Sequence, residues 1–305
     1  MASIERKQYF LARYSWYQAT VAIFLTFMVS LASAAQETTL QHAQRTGSIR
    51  IGYANEAPFA YMDVVSNRVT GEAPEVARAV LNNMGIHRVD SVLAEFSSLI
   101  PGLRAGRFDI IAAGMYILPE RCKQIRFSDP SYSTGEGFVV RRDNPKRLHS
   151  YNDVKNTAGA TLGVVAGTVE AGYAHATGIE AAKLALFPDG PSAVEGVIAG
   201  RVDAFAGTEP TVHDLVKKAA DRGIEAAQPF ADPIINGKPA RGYGAFGFRP
   251  EDADLATAFN QSLHQFVGSP KHRQLVANFG FSPQQLPGPV SAATLCASPT
   301  QASPS

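Results

Sequence analysis

The sequence of 305 residues lacks an excess of either charge: Lys and Arg together number 28, Asp and Glu number 27, and the formal net charge is +1. Proteins that bind nucleic acid usually carry a basic patch or a basic domain, so this balance gives no support for a nucleic-acid partner. Hydrophobic residues make up 45% of the chain and charged residues 18%, which is an ordinary globular composition and excludes a disordered chain. The length suits two lobes of about 100 to 150 residues each.

Cysteine is scarce, since only Cys122 and Cys296 are present. No cluster of histidines lies near either thiol, so a metal site is not expected, and no motif implies a cofactor. Export to an oxidising compartment would permit the two cysteines to form a disulfide, whereas two unpaired residues are the alternative. The sequence leaves both possibilities open.

The N-terminal region lacks a hydrophobic run long enough to span a membrane. Arg6, Lys7 and Arg13 precede an apolar run, and the small residues at 32–34 are acceptable to a signal peptidase. About 14 apolar residues fall short of the roughly 20 that cross a bilayer. We therefore interpret residues 1–34 as a cleaved signal peptide, with a membrane anchor as the alternative, and no cysteine at the cleavage point indicates a lipid anchor.

A repeated segment predicts two similar lobes. Residues 102–114 (GLRAGRFDIIAAG) and 196–208 (GVIAGRVDAFAGT) share Gly, Ala, Gly, Arg, Asp and Ala at matched positions. Each copy reads as a helix that ends at a glycine, Gly106 or Gly200, followed by a buried strand. The distance between the copies exceeds the period of solenoid repeats, so we expect one repeated lobe and not an array.

Strand, loop and helix patterns also precede each copy of the repeat. Strands predicted at 49–53 and 161–165 lead into helices at 74–84 and after Gly167. Alternating strands and helices predict two α/β lobes with mostly parallel sheets. Ligands of such sheets bind beyond the carboxyl ends of the strands, so four loops are expected to face one cleft. These loops are 55–61, 114–121, 167–170 and 208–211.

Several motifs resemble a known family. SLIPGL at 98–103, GMYILPER at 114–121 and FSDPSY at 127–132 resemble, in this order, the polar amino-acid group of periplasmic solute-binding proteins that serve ABC importers. The resemblance runs from about residue 47 to about residue 281. It implies a two-lobed α/β fold with two crossover strands and a ligand cleft between the lobes. It also implies a periplasmic monomer that delivers a small zwitterionic solute to a membrane permease.

The resemblance implies the domain boundaries as well. Lobe 1 is expected at 45–140 and 242–290, lobe 2 at 141–241, and a Ser/Ala/Pro-rich tail at 291–305.

In family members that bind α-amino acids, an arginine equivalent to Arg121 and the N–H groups of a helix start, here near Thr168, hold the ligand carboxylate. The guanidinium fork matches a carboxylate, and a helix N-terminus is the positive end of the helix dipole. A solvated helix position is the alternative for Arg121. These members usually place an Asp where this sequence has Thr208, and a hydroxyl cannot neutralise a buried ammonium.

NEAPFAY at 55–61, TGEAPE at 70–75 and AAGMYILPERCKQ at 112–124 most resemble the ectoine- and hydroxyectoine-binding members. In that subgroup a glutamate and three aromatic residues hold the ligand ring, and an arginine holds its carboxylate; rings attract a delocalised cation through their faces. Carried over by motif, these residues are Glu56, Phe59, Phe96, Tyr116 and Arg121. A core aromatic is the alternative for Phe96.

Lobe 2 is expected to contribute Thr168 and Thr208 to the ligand site. Glu170 and Glu209 are expected to be capping or surface carboxylates, because Glu favours the first turn of a helix.

Other functions remain open at this point. Glu56 would allow a different small zwitterion, such as a polar or basic amino acid, an opine or a betaine. A dehydratase resembling the cyclohexadienyl and arogenate dehydratases would use Glu56 as a general acid. An aromatic-rich site suits a bound cation better than prephenate, so we expect a binding protein and not an enzyme. A sensor would require a partner chain, since no membrane span or signalling domain follows residue 290.

Overall fold

The computed structural model describes residues 37–297. The predicted signal peptide and residues 298–305 of the predicted tail lie outside the described residues. Among residues 37–297, none of the helices combines the length and the hydrophobicity of a membrane span.

The chain alternates helices and strands. The helices are α1 (Thr39–Thr46), α2 (Glu72–Asn83), α3 (Leu99–Arg104), α4 (Pro119–Cys122), α5 (Tyr151–Asn156), α6 (Glu170–Thr177), α7 (Gly190–Ile198), α8 (Glu209–Lys218), α9 (Ala253–Phe266), α10 (Pro270–Ala277) and α11 (Ala292–Ala297). The strands are β1 (Ser48–Tyr53), β2 (Tyr61–Asp63), β3 (Arg68–Thr70), β4 (Arg88–Leu93), β5 (Ile110–Tyr116), β6 (Arg126–Phe127), β7 (Tyr132–Thr134), β8 (Glu136–Arg141), β9 (Leu162–Val165), β10 (Leu184–Phe187), β11 (Ala204–Thr208), β12 (Ile224–Ala226), β13 (Ile234–Ile235), β14 (Lys238–Pro239) and β15 (Gly242–Phe248). Short 3₁₀ turns lie at Phe96–Ser98, Ala181–Lys183 and Pro283–Gln285.

The first lobe is built on a sheet with the strand order β4-β1-β5-β15-β6, in which β7 also pairs with β15. Strand β1 runs parallel to β4 and β5, and β15 runs antiparallel to β5, β6 and β7. Helices α2 and α9 pack together and cover one face, with Val80, Leu81 and Phe259 in a common core. Burying apolar surface between these layers is what stabilises the lobe.

The second lobe is built on a sheet with the strand order β10-β9-β11-β8-β12. Strand β9 is parallel to β10 and β11, whereas β8 is antiparallel to β11 and β12. Each sheet is therefore part parallel and part antiparallel, and parallel pairing covers less of each sheet than predicted. The reason is that β8 and β15 each enter their sheet from the space between the lobes, so they run opposite to β11 and β5, which end there.

The chain passes from the first sheet to the second at Gly135, between β7 and β8. Strand β8 lies in the second sheet along its whole length, so this crossing precedes the predicted boundary at residue 140. A Cβ at Gly135 would lie 2.9 Å from the carboxylate oxygens of Asp232, and one of these oxygens accepts the N–H of Glu136. Glycine therefore allows the crossing strand to approach Asp232. The chain returns to the first sheet at β15.

The two copies of the sequence repeat fold alike. Helix α3 ends before Gly106 and β5 follows; helix α7 ends before Gly200 and β11 follows. Both glycines take the left-handed conformation, with φ of 70° and 71°. Both strands consequently direct their carboxyl ends, and the loops that follow, to the space between the lobes.

Cys122 and Cys296 form a disulfide, with 5.8 Å between their Cα atoms. The bond joins α11 to α4, and α11 packs against α4. The backbone N–H of Ala292 also donates to Asp129. The first part of the predicted tail is thus a helix attached to the first lobe.

Candidate functional site

A cavity lies between the two lobes, at the carboxyl ends of their strands. Its empty volume is about 290 Å³ with the opening to solvent included, while the space open to the centre of a water molecule is about 20 Å³, so the walls of the cavity lie close together. The lining residues are Glu56, Phe59, Phe96, Gly114, Tyr116, Arg121, Thr168, Val169, Glu170 and Thr208. The structure therefore brings together every residue predicted to contact a ligand, and it adds Gly114, Val169 and Glu170.

The loop after β1 is held closed by its own backbone. The N–H of Glu56 donates to the carbonyl oxygen of Ala60 at 2.7 Å, and the N–H of Ala60 donates back to Glu56 at 2.9 Å. The first N–H groups of α2, on Glu72 and Ala73, donate to the carbonyl oxygens of Pro58 and Phe59. The start of α2 thus fixes the loop that presents Glu56 and Phe59 to the cavity.

Glu56 is partly buried in the cavity wall. Burial raises the pKa of its carboxyl to about 7, and the charge of Glu170 acts in the same direction. The hydroxyl of Thr211 donates to Glu56 Oε1 at 3.1 Å and opposes the shift. Near neutral pH Glu56 is therefore divided between its two protonation states, and a cation beside it would favour the ionised one.

Glu170 was expected to be a capping or a surface carboxylate; it is the first residue of α6, and it does not lie at the surface. Its side chain lines the cavity and the residue is only 4% exposed, because the N-terminus of α6 faces the first lobe. Burial raises the pKa of the Glu170 carboxyl. The orientation of this helix depends on the packing of the lobes, which the local sequence pattern does not reveal.

Glu136 lies at the start of β8, buried beside Glu170. Burial, together with the charges of Glu170, Asp232 and Glu56, raises the pKa of the Glu136 carboxyl well above its ordinary value. The carboxyls of Glu136 and Glu170 also form a side-chain hydrogen bond, which favours the protonated form of Glu136. This environment favours the neutral form of the Glu136 carboxyl over the ionised form.

Arg121 is a buried cation at the end of the cavity, 6% exposed, so the solvated alternative does not apply. Its guanidinium donates to the carbonyl oxygens of Tyr116 and Gly167, both at 2.9 Å, and lies 5.5 Å from the centre of the Phe96 ring. Within the described chain it forms no ion pair. Burial lowers its pKa to about 10, so it stays charged at neutral pH.

Two of the aromatic walls rest against glycines. A Cβ at Gly114 would lie 2.6 Å from the Phe59 ring, and a Cβ at Gly242 would lie 1.8 Å from the Tyr116 ring. Tyr132 stacks on Phe59 at 4.9 Å between ring centroids. The rings of Phe59 and Tyr116 are therefore held by backbone and, for Phe59, by a second ring, and both residues line the cavity.

The two predicted threonines have internal hydrogen bonds. The Thr168 hydroxyl donates to the carbonyl oxygen of Val165 at 2.8 Å, just before α6. Thr208 is the N-cap of α8: its oxygen accepts the N–H of Thr211, and its hydroxyl donates to the Thr211 hydroxyl. These hydroxyls shape the cavity wall. Thr211 was not predicted, although the spacing of three residues is that of a helix N-cap and its partner.

Within residues 37–297, no cluster of three or more His, Cys, Asp or Glu side chains is arranged to hold a metal ion. The cavity instead combines one buried guanidinium, two carboxyls and three aromatic rings. Such a set is suited to a small molecule that carries a carboxylate at one end and a cation at the other.

Residues 49–282 match the model of the bacterial extracellular solute-binding proteins, family 3. The chain belongs to this family. It is the solute-binding component of a polar amino-acid ABC importer, and the family and its relatives are binding proteins and not enzymes.

The family-3 relatives include an amino-acid ABC transporter periplasmic-binding protein of Sinorhizobium fredii, named y4tE and described as probable, which is 39% identical over 270 residues, 88% of each chain. The lysine/arginine/ornithine-binding periplasmic protein of Escherichia coli K12 is 26% identical over 246 residues, 78% of this chain and 88% of that one. Among solved structures, EhuB in complex with hydroxyectoine has a TM-score of 0.77 and 30% identity, covering 86% of this chain and 99% of EhuB.

Proposed function

We propose that this solute-binding protein is exported and binds ectoine or hydroxyectoine, a small zwitterion with a delocalised cation, for delivery to its permease. The observation that carries the proposal is the position of Arg121, a buried cation without a carboxylate partner in the described chain. It lines the same cavity as Glu56 and three aromatic rings. A ligand with a carboxylate and a delocalised cation would complement both ends.

Arg121 would hold the ligand carboxylate. The carbonyl oxygens of Tyr116 and Gly167 each accept one of its N–H groups, which fixes the plane of the guanidinium. A guanidinium has five N–H donors, so others remain for a carboxylate. Burying Arg121 and a ligand carboxylate removes both charges from water, so the pair is favourable only if its geometry is good. The fixed plane of the guanidinium supplies that geometry.

Glu56 and the rings of Phe59, Phe96 and Tyr116 would hold the cation. A delocalised amidinium is attracted to ring faces, each contributing roughly 0.5–2 kcal/mol. Thr208 stands where amino-acid binders usually have an aspartate, so the cation contacts come mainly from the first lobe. Burial raises the pKa values of the carboxyls of Glu56 and Glu170, so their negative charge beside Arg121 is reduced, which suits a net-neutral zwitterion.

The similarity to EhuB, whose structure holds hydroxyectoine, supports this ligand class. Glu170 favours a second candidate, a basic amino acid such as arginine. If both Glu56 and Glu170 are ionised, the cavity carries one negative charge in excess of Arg121, which a ligand of net charge +1 would neutralise. The E. coli relative that binds lysine, arginine and ornithine is consistent with this alternative.

Contacts between the lobes indicate how the ligand would be enclosed. Arg121 of the first lobe bonds to Gly167 of the second, and Thr211 of the second lobe bonds to Glu56 of the first. We propose that these contacts form on closure, and that the permease recognises the closed form. Ligand affinity then includes the free energy that shifts the open and closed populations.

The test is calorimetric titration of the mature protein with ectoine, hydroxyectoine, glycine betaine, arginine and glutamate. Wild-type protein is compared with Glu56→Gln and with Glu195→Gln, a control in which an exposed carboxylate is changed. We expect ectoine or hydroxyectoine to bind most tightly, and Glu56→Gln alone to weaken binding. Tight binding of arginine only would favour the second candidate, and binding of glutamate only would contradict both.

A further inference from the structure

We propose that Thr211 is a positioning residue that links closure of the lobes to the carboxylate of Glu56. The inference rests on the proposed function, in which Glu56 contacts the ligand cation. Thr211 lies in α8 of the second lobe, is 1% exposed, and does not line the cavity. It would therefore act on the ligand only through Glu56.

Three side chains form an interlobe hydroxyl chain: Thr208, Thr211 and Glu56. The Thr208 hydroxyl donates to Thr211 Oγ1 at 3.1 Å, and the Thr211 hydroxyl donates to Glu56 Oε1 at 3.1 Å. The N–H of Thr211 donates to Thr208 Oγ1 at 3.4 Å. The helix cap thus holds Thr208, and Thr208 in turn orients Thr211.

The direction of the chain follows from the number of protons. Each hydroxyl has one proton to donate, and an ionised carboxylate can only accept. Because the Thr208 hydroxyl donates its hydrogen bond to Thr211 Oγ1, the Thr211 hydroxyl remains free to donate to Glu56. Hydrogen bonds to an ionised group are stronger than those to a neutral one, so the chain is strongest when Glu56 is ionised.

Other charged groups also act on Glu56. Glu170 of α6 repels its ionised form, the buried Glu136 and Tyr132 are coupled to it electrostatically, and Arg121 lines the same cavity. Among the hydrogen bonds of the described chain, the Thr211 hydroxyl is the side-chain donor to this carboxylate. It crosses from one lobe to the other, so opening the cleft breaks it.

The ligand cation and Thr211 would therefore both favour the ionised state of Glu56. A cation in the cavity keeps the carboxylate ionised, and the ionised carboxylate strengthens the bond that holds the second lobe in place. The two interactions are linked through one group, so each one promotes the other.

The experiment compares wild-type protein with Thr211→Val, which keeps the shape and removes the hydroxyl, and with Thr211→Ser, which restores it. Affinity for the tightest-binding solute of the panel is measured from about two pH units below to two above the Glu56 pKa of about 7. We expect Thr211→Val to lose roughly 10- to 100-fold in affinity above that pKa. The loss should shrink below it, and Thr211→Ser should behave like wild type.

Thr134→Val is the matched control, since Thr134 is equally buried and its hydroxyl has no partner in the described chain. In a Glu56→Gln background, Thr211→Val should cost less than in wild type, because the charged acceptor is gone. A loss that is the same at every pH, or the same in both backgrounds, would mean a purely structural role and overturn the proposal.

Failure of the proposed function can be distinguished from failure of the role proposed for Thr211. Spin labels on Val64→Cys and Leu186→Cys, exposed positions in the two lobes, report the closed fraction without ligand. If Thr211 acts as proposed, the closed fraction of Thr211→Val falls below that of wild type, and the gap widens as pH rises. If no solute of the panel binds but this gap is present, the ligand is wrong and the role of Thr211 stands; equal closed fractions overturn it.

Discussion

The guanidinium of Arg121, in the first lobe, donates a hydrogen bond to the carbonyl oxygen of Gly167, in the second, at 2.9 Å. The same side chain bonds to Tyr116 of its own lobe and lies over the ring of Phe96. One residue thus contacts both lobes while it lines the cavity between them, so in the proposed function ligand contact and closure would depend on the same cation.

Arg121→Lys should abolish most binding. Lysine keeps the charge but is a compact donor without the planar fork, so it cannot contact Tyr116, Gly167 and a ligand carboxylate together. We expect a loss of at least about 100-fold in affinity, corresponding to roughly 2.7 kcal/mol or more, measured by calorimetric titration. Arg104→Lys, on the exposed surface of α3, is the control and should bind as wild type does. Wild-type affinity in Arg121→Lys would contradict a carboxylate contact at this residue.

Much of the fold and of the first-lobe site was predictable because its signals are local. Short motifs that directly follow predicted strands contain Glu56, Phe59 and Arg121. The glycines of the repeat, Gly106 and Gly200, mark helix ends whatever the arrangement of the lobes. Glu170 and Thr211 were not predicted as site residues, since their roles depend on how the lobes meet. Thr211 contacts a carboxylate 155 positions away in the chain. No periodicity within α8 distinguishes that contact from ordinary capping.

Glu72 should make the stability of the protein depend on pH. Its carboxyl is completely buried in the first lobe, accepts a hydrogen bond from Ser131 at 2.9 Å, and has a pKa raised by burial from 4.5 to about 7. The folded state therefore binds more protons than the unfolded state between about pH 4.5 and 7, and the free energy of unfolding falls as pH rises through this window. Glu56 contributes in the same direction.

Glu72→Gln should raise the free energy of unfolding at pH 8 by on the order of 1–3 kcal/mol, because the amide needs no proton to stay neutral. Below about pH 4.5 its advantage should disappear. Denaturant unfolding at several pH values measures the effect, with Glu180→Gln on the surface as the control. Equal gains at pH 5 and pH 8 would show that ionisation of Glu72 is not the cause.

Substitutions of Tyr116 test whether the face of its ring holds the ligand cation. Its hydroxyl has no hydrogen-bond partner in the described chain, while its ring lines the cavity and packs on Gly242. Tyr116→Phe should therefore change affinity less than about threefold, and Tyr116→Leu should weaken it by roughly 0.5–2 kcal/mol. Calorimetric titration of the two variants separates the ring from the hydroxyl. A larger loss in Tyr116→Phe than expected would indicate that the hydroxyl bonds to the ligand.

Gly167 should be required for closure more than for folding. It takes the left-handed conformation, with φ of +83°, and a Cβ there would lie 2.8 Å from the Cα of Ser97 in the other lobe. Gly178 has the same φ, but its Cβ would meet only the flexible end of Lys155, at 3.3 Å. Alanine at either position pays about 1 kcal/mol or more for the left-handed backbone. The clash across the cleft is confined to Gly167, and it is relieved when the lobes open.

We therefore expect Gly167→Ala and Gly178→Ala to lower the free energy of unfolding by similar amounts, but only Gly167→Ala to lower ligand affinity, by more than about tenfold. Thermal unfolding without ligand and calorimetric titration measure the two effects separately. The contact between residue 167 and Ser97 exists only when the lobes are together. At a ligand concentration that saturates the wild-type protein, Gly167→Ala should therefore show a smaller closed fraction. Equal affinity losses in the two variants would mean that the backbone conformation matters and the contact with Ser97 does not.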